Sequence, residues 1–125
     1  MNSAQALHAF WSGFNVHAYD ETTVPDEKDI AAPKWPRITY SVAKGEFEDP
    51  VMLTASLWDY GKSWQAVSLL SDEIYESIGY GGKLLETDSG KIWLKRGTPF
   101  AQRMSDENDN VRRIYLNVEA EYFET

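Results

Sequence analysis

The stretch from Ser63 to Ile78 does most to restrict the folds open to this chain. At ~100° per residue, Trp64, Val67, Leu70, Ile74, Tyr75 and Ile78 fall on one stripe about 140° wide. Gln65, Asp72, Glu73 and Glu76 face away. Ser63 supplies a candidate N-cap, and Gly79 with Gly81-Gly82 stops the helix. A stripe this broad must be buried against something, and the chain on either side offers runs of period two.

Upstream, Ile38, Tyr40 and Val42 alternate with Thr39 and Ser41. Val51, Leu53, Ala55 and Leu57 then alternate with Met52, Thr54, Ser56 and Trp58. Two such runs joined by a short Lys44-Gly45 connection form an antiparallel pair. Downstream, strands near Lys83–Thr87 and Lys91–Arg96 flank an Asp88-Ser89-Gly90 turn. A closing strand sets Ile114, Leu116, Val118, Ala120 and Tyr122 against Arg113, Tyr115, Asn117, Glu119 and Glu121. At the start, Ala4, Leu7, Phe10, Trp11 and Phe14 recur at helical spacing after a Ser3 cap, and a first strand follows over Asn15–Tyr19. Asp20–Pro36, with Pro25, Pro33 and Pro36, and Gly97–Asn110 read as long loops. The order is helix, three strands, helix, three strands. It predicts one α+β domain over 1–125, with a mostly antiparallel or mixed β-sheet flanked by an N-terminal helix and a central amphipathic helix.

Composition narrows the setting. The chain has 125 residues, enough for one modest core, and its 42% hydrophobic content is too apolar for disorder. There are no cysteines, which excludes disulfides and thiolate metal sites. No apolar run approaches the roughly 18 residues of a membrane helix. No lysine or arginine precedes Lys28, so a secretory leader is not expected. The formal charge of −8 argues against general binding to nucleic-acid phosphates; it suits a surface past which DNA slides, and ordinary solubility just as well. The charge is uneven: residues 1–49 carry eight acids against four bases. Residues 83–103 carry five bases (Lys83, Lys91, Lys95, Arg96, Arg103) against two acids (Glu86, Asp88). That polarity permits head-to-tail contact between copies; ordinary solvated faces are the commoner explanation.

Catalytic signatures fail one by one. Ser56 to Ser63 ends in Gly-Lys-Ser like a phosphate loop, but Ser56 stands where the first glycine belongs. Leu57, Trp58, Asp59 and Tyr60 fill positions that a phosphate cradle keeps small. Asp106-Glu107-Asn108-Asp109-Asn110 opens like a calcium loop, yet Val111 replaces the required glycine and Asn117 the terminal glutamate. In Gly79-Tyr80-Gly81-Gly82, Leu84 takes the third glycine of a dinucleotide fingerprint. His8 and His17 have no metal-ligand spacing, and no serine lies in a nucleophile elbow. The reading is of a non-enzyme without cofactor or metal.

Aromatic residues remain to be explained. Trp64 belongs to the helix stripe, whereas Trp58 and Trp93 occupy strand positions opposite the aliphatic sets. Tryptophan on an outward face is favoured where proteins meet. The other reading is that the long arm or a second helix covers that face. The candidate interface residues are Trp35, Trp58, Tyr60, Lys62, Trp93, Lys95, Arg96 and Arg103.

Several motifs together resemble the tail-terminator family of long-tailed bacteriophages, also described as tail-completion, tail-to-head joining or minor capsid proteins. They are the Trp35-Pro36-Arg37-Ile38-Thr39-Tyr40 strand entry, Leu57-Trp58-Asp59-Tyr60-Gly61-Lys62-Ser63, Leu94-Lys95-Arg96-Gly97 and Arg112-Arg113-Ile114-Tyr115-Leu116. The likeness runs from about residue 3 to 123, and head-completion or neck subunits share part of it. It implies a hexameric ring that caps the tail tube, ends its polymerisation and presents the head-joining surface. Its partners would be further copies, the tail-tube protein and the head–tail connector, with DNA only passing through the lumen and no membrane. Assembly would take place in the host cytoplasm and the product would sit in the virion neck. The rival is a monomeric module that binds a peptide or small ligand on the same sheet face.

Overall fold

A computed structural model describes residues 1–23, 35–47 and 49–124. Helix α1 (Ser3–Trp11) leads through a short 3-10 turn to β1 (His17–Asp20) and β2 (Arg37–Tyr40). Then follow β3 (Val51–Tyr60), α2 (Gln65–Ile78), β4 (Lys83–Thr87), β5 (Gly90–Met104) and β6 (Val111–Glu124). The strands form one six-stranded mixed sheet in the order β1-β2-β3-β6-β5-β4. Among the described residues β1–β2 is the one parallel pairing. The α+β class holds, with sheet as the larger part.

One face of the sheet makes the core. Ile38, Leu53, Leu57, Ile92, Leu94, Leu116, Val118 and Tyr122 are buried with Leu7, Phe10 and Trp11 of α1 and Val67, Leu70, Ile74 and Ile78 of α2. Each aliphatic side chain withdrawn from water contributes about 1.5–3 kcal/mol, so these two short helices are held by the sheet rather than by propensity. Trp11 stacks on Tyr40 with ring centres 6.2 Å apart. Asn2 caps α1 in a reciprocal box with Gln5, one residue ahead of the expected Ser3. The cap of α2 also differs from expectation. Trp64 occupies the boundary position, while Ser63 Oγ accepts from the Gln65 amide at 3.1 Å.

Three further expectations are corrected. Gly97–Asn110 is not one long loop: β5 continues to Met104, leaving only the short 105–110 connection to β6. The signal was hidden by an irregularity, since Arg96 pairs with Val118 and Ala101 with Leu116, setting residues 97–100 against Asn117 alone. A Cβ on Gly97 would lie 2.6 Å from the Asn117 carbonyl oxygen, and Asn117 Nδ2 donates to the Pro99 carbonyl at 2.9 Å. Val42 lies beyond the end of β2 and is exposed rather than in line with Tyr40. Tyr75 is 40% exposed instead of buried with the α2 stripe; its ring packs against the Arg96 guanidinium and edge-on to Phe100. The long arm expected over 20–36 falls largely on 24–34, outside the described residues.

Candidate functional site

Both helices pack on the core side, so the opposite face of the sheet presents the other set of alternating residues. Strand register builds a row there: Arg37 pairs with Trp58, and Trp58 with Arg113. Neighbours across a pleated face stand roughly 4.5–5.5 Å apart, which puts an arginine on each side of the tryptophan. The Arg113 guanidinium carbon lies 4.6 Å from the Trp58 ring centre and 5.5 Å from that of Tyr115. Its Nε donates to Ser56 Oγ at 3.1 Å. Ser56 is only 5% exposed, so its hydroxyl acts as a fixed post for the cation. The Trp58 indole N–H donates to Thr39 Oγ1 at 2.9 Å.

The row continues into a corner. Arg37 lies 4.2 Å over the Trp35 ring, and Trp35 approaches Tyr60 with ring centres 6.1 Å apart. Glu21, Arg37, Thr39, Ser56, Trp58 and Arg113 line an open cleft of about 430 Å³. Cation–π contacts of this kind contribute about 0.5–1 kcal/mol in water and up to about 2 kcal/mol when a partner excludes the solvent. The corner therefore gains strength on being covered.

The eight candidate residues separate into groups. Trp35, Trp58 and Tyr60 share the corner, and Lys62 lies just past it, its carbonyl accepting from Arg112 Nε at 3.2 Å. Trp93 and Lys95 are on the same face but further across, on β5. There Lys95 Nζ sits 4.0 Å above the Trp93 ring and 2.7 Å from Glu121 Oε1, while the indole N–H donates to the Gly81 carbonyl at 3.0 Å. The approach requires glycine at position 82, where φ is +87° and a Cβ would stand 2.5 Å from the indole nitrogen.

Arg96 and Arg103 turn to the opposite, helix-bearing side. Arg96 donates from Nε and Nη2 to the Tyr75 carbonyl at 3.0 and 2.8 Å, capping the last turn of α2, where cations are favoured. Arg103 lies 4.7 Å from the Trp64 ring centre, with Arg112 at 5.6 Å from the same ring. These two arginines do not join Trp58 in one surface. Arg37 and Arg113, which sequence reasoning did not single out, do. Their signal was parity: each stands one position from a core residue, Ile38 and Ile114, and so faces outward.

His8 makes two side-chain contacts. Its Nδ1 lies 2.7 Å from the Tyr40 hydroxyl and its Nε2 3.2 Å from Ser12 Oγ. Burial, with the Asp20 charge adding to it, raises the Tyr40 pKa. The two contacts tie α1 to β2 through the imidazole. Among the described residues, no group of three or more His, Cys, Asp or Glu side chains could hold a metal ion, and no helix is long and apolar enough to span a membrane.

No protein-family model matches the chain, and no curated protein is significantly similar to it.

Proposed function

We propose that the chain is a structural virion protein that closes as a ring on the end of a phage tail tube, ends tube growth and offers the surface for head joining. The motif resemblance supplies the identity of the assembly. The observation that carries the reading is the sheet face opposite α1 and α2, free of helix among the described residues, where Trp58 stands between Arg37 and Arg113 in one cross-strand row. Aromatic and arginine side chains together favour burial by a protein partner. A ring needs heterologous contacts that close on themselves, and an acidic or polar lumen lets DNA pass without trapping it. With a net charge of −8, this chain fits that requirement.

Light scattering at high protein concentration, with negative-stain images of the same sample, tests the proposal. Hexameric rings with a central hole are expected, alone or on addition of purified tail tubes. A chain that stays monomeric and ignores tail tubes overturns it. The second reading, a monomeric module for an acidic peptide or small anion, is favoured by the 430 Å³ cleft between Arg37 and Arg113. It predicts a monomer whose melting temperature rises with ligand.

A further inference from the structure

The registers of five strands align in four complete rows. They run His17–Arg37–Trp58–Arg113–Met104, Ala18–Ile38–Leu57–Ile114–Arg103, Tyr19–Thr39–Ser56–Tyr115–Gln102 and Asp20–Tyr40–Ala55–Leu116–Ala101. This half of the sheet is thus a rectangular band. One edge is β1. The other is the 101–104 segment of β5, because β4 pairs with β5 no further than Leu94. Among the described residues, neither edge has a strand beyond it. Ala101, Gln102, Arg103 and Met104 are all exposed. An edge of this kind presents unpaired N–H and C=O groups, and a second chain satisfies them most directly by adding a strand.

The two edges fit each other in length, direction, face and charge. Each spans four residues. Following the pairings across the band, β1 runs antiparallel to β5. Copies placed side by side in one orientation therefore meet through antiparallel strands, the more stable arrangement per residue. In flush register Tyr19 lies opposite Gln102 on the outer face and Ala18 opposite Arg103 on the core side. No side chain is thrown to the wrong face, as a one-residue slip would do. The 101–104 edge of β5 carries Arg103 and no acid, while β1 ends at Asp20 and is followed by Glu21. Asp20 of one copy comes diagonally within reach of Arg103 of the next.

We infer that the seam between copies is a β1–β5 strand pairing, so that adjacent subunits share one continuous sheet. The inference rests on the ring reading for its biological role, but the seam can be tested separately. The chain has no cysteine, so introduced thiols report unambiguously. Within one copy the two edges stand four strand spacings of about 4.8 Å apart, on the order of 19 Å, too far for a disulfide.

Full-length Tyr19→Cys and Gln102→Cys proteins are oxidised separately and as a mixture, with thermal melts to show that each is folded. His17→Cys with Met104→Cys is the substitute pair if either variant unfolds. A disulfide-linked species of doubled mass, confined to the mixture, is the expected result. Homodimers in the separate samples as abundant as the mixed product would overturn the seam. Wild-type rings without that cross-link would overturn the seam and leave the ring standing. Cross-linked rows that never close would retain the seam and remove the cap. Monomer at every concentration without cross-link would overturn both.

Discussion

Replacing Thr87 by valine should destabilise the fold in a pH-dependent way, through Glu124. The Glu124 side chain is 4% exposed, near the end of β6. Its Oε2 accepts from Thr87 Oγ1 at 2.7 Å and Ser89 Oγ at 2.8 Å, and Lys44 Nζ lies 3.2 Å from Oε1. Burial alone would raise its pKa. The hydroxyl and ammonium donors, with the Lys44 charge, outweigh that and hold the carboxyl below its usual 4.5. Valine keeps the shape and strand preference of threonine and removes only the hydroxyl. A hydrogen bond to a charged group contributes about 1.5–3 kcal/mol; with Ser89 still in place, the lower end applies. A 125-residue domain has an unfolding entropy of roughly 0.26 kcal/mol/K, so about 1.5 kcal/mol lowers Tm by about 6 °C at neutral pH. A carboxyl whose folded pKa is depressed contributes its stability above the unfolded value. That contribution is lost as pH falls through the folded value. As pH falls through the folded value the penalty of the variant should shrink toward roughly half, since a neutral bond is about half as strong as a charge-assisted one. Urea denaturation of wild type and variant in a series from pH 7 into the acid range measures this. Equal stability at pH 7, or a penalty that stays constant across the series, would refute the reasoning.

Other perturbations have equally definite expectations. Tyr122 is pushed up to about 12, by burial first and then by the Glu124 charge, and its hydroxyl donates to the Ala43 carbonyl at 2.5 Å. Its stabilisation is complete below the ordinary tyrosine value of 10 and lost as pH rises through 12. Tyr122→Phe should therefore cost about 1 kcal/mol at pH 7, yet lose less stability than wild type between pH 10 and 12 in chemical denaturation. Gly90→Ala should cost well over the ~1 kcal/mol of an ordinary glycine substitution, because φ there is +154° and a Cβ would meet the Phe123 carbonyl oxygen at 1.9 Å. A melting temperature within a degree of wild type would contradict that geometry. Trp58→Ser should leave a folded monomer, the ring being half-buried, and abolish assembly in light scattering; an unfolded product would return Trp58 to the core.

Local patterns were enough for most elements. The β6 alternation and the α2 stripe are readable because a single period persists for several turns or pairs. The end of β5 was not readable: Gly97, Thr98 and Pro99 carry turn chemistry, and the irregularity opposite Asn117 resets the alternation. The Arg37–Trp58–Arg113 row needed information that no window of sequence contains, namely which residue of β3 faces which residue of β2 and β6. For the same reason Arg96 and Arg103 were grouped with Trp93 by proximity along the chain, although the sheet separates them.

The four-against-one mismatch at Asn117 also bears on how the chain finds its register. Alternating strands as long as β5 and β6 can slide by two residues and still place every apolar side chain inward, so a slipped hairpin would be a nearly degenerate competitor. Here sliding brings a side chain other than hydrogen against the Asn117 carbonyl, where only Gly97 fits, and breaks the Asn117–Pro99 bond. The irregularity works as a key that admits one alignment. A hairpin that cannot idle in wrong alignments spends less time exposing its long edge to other unfinished chains.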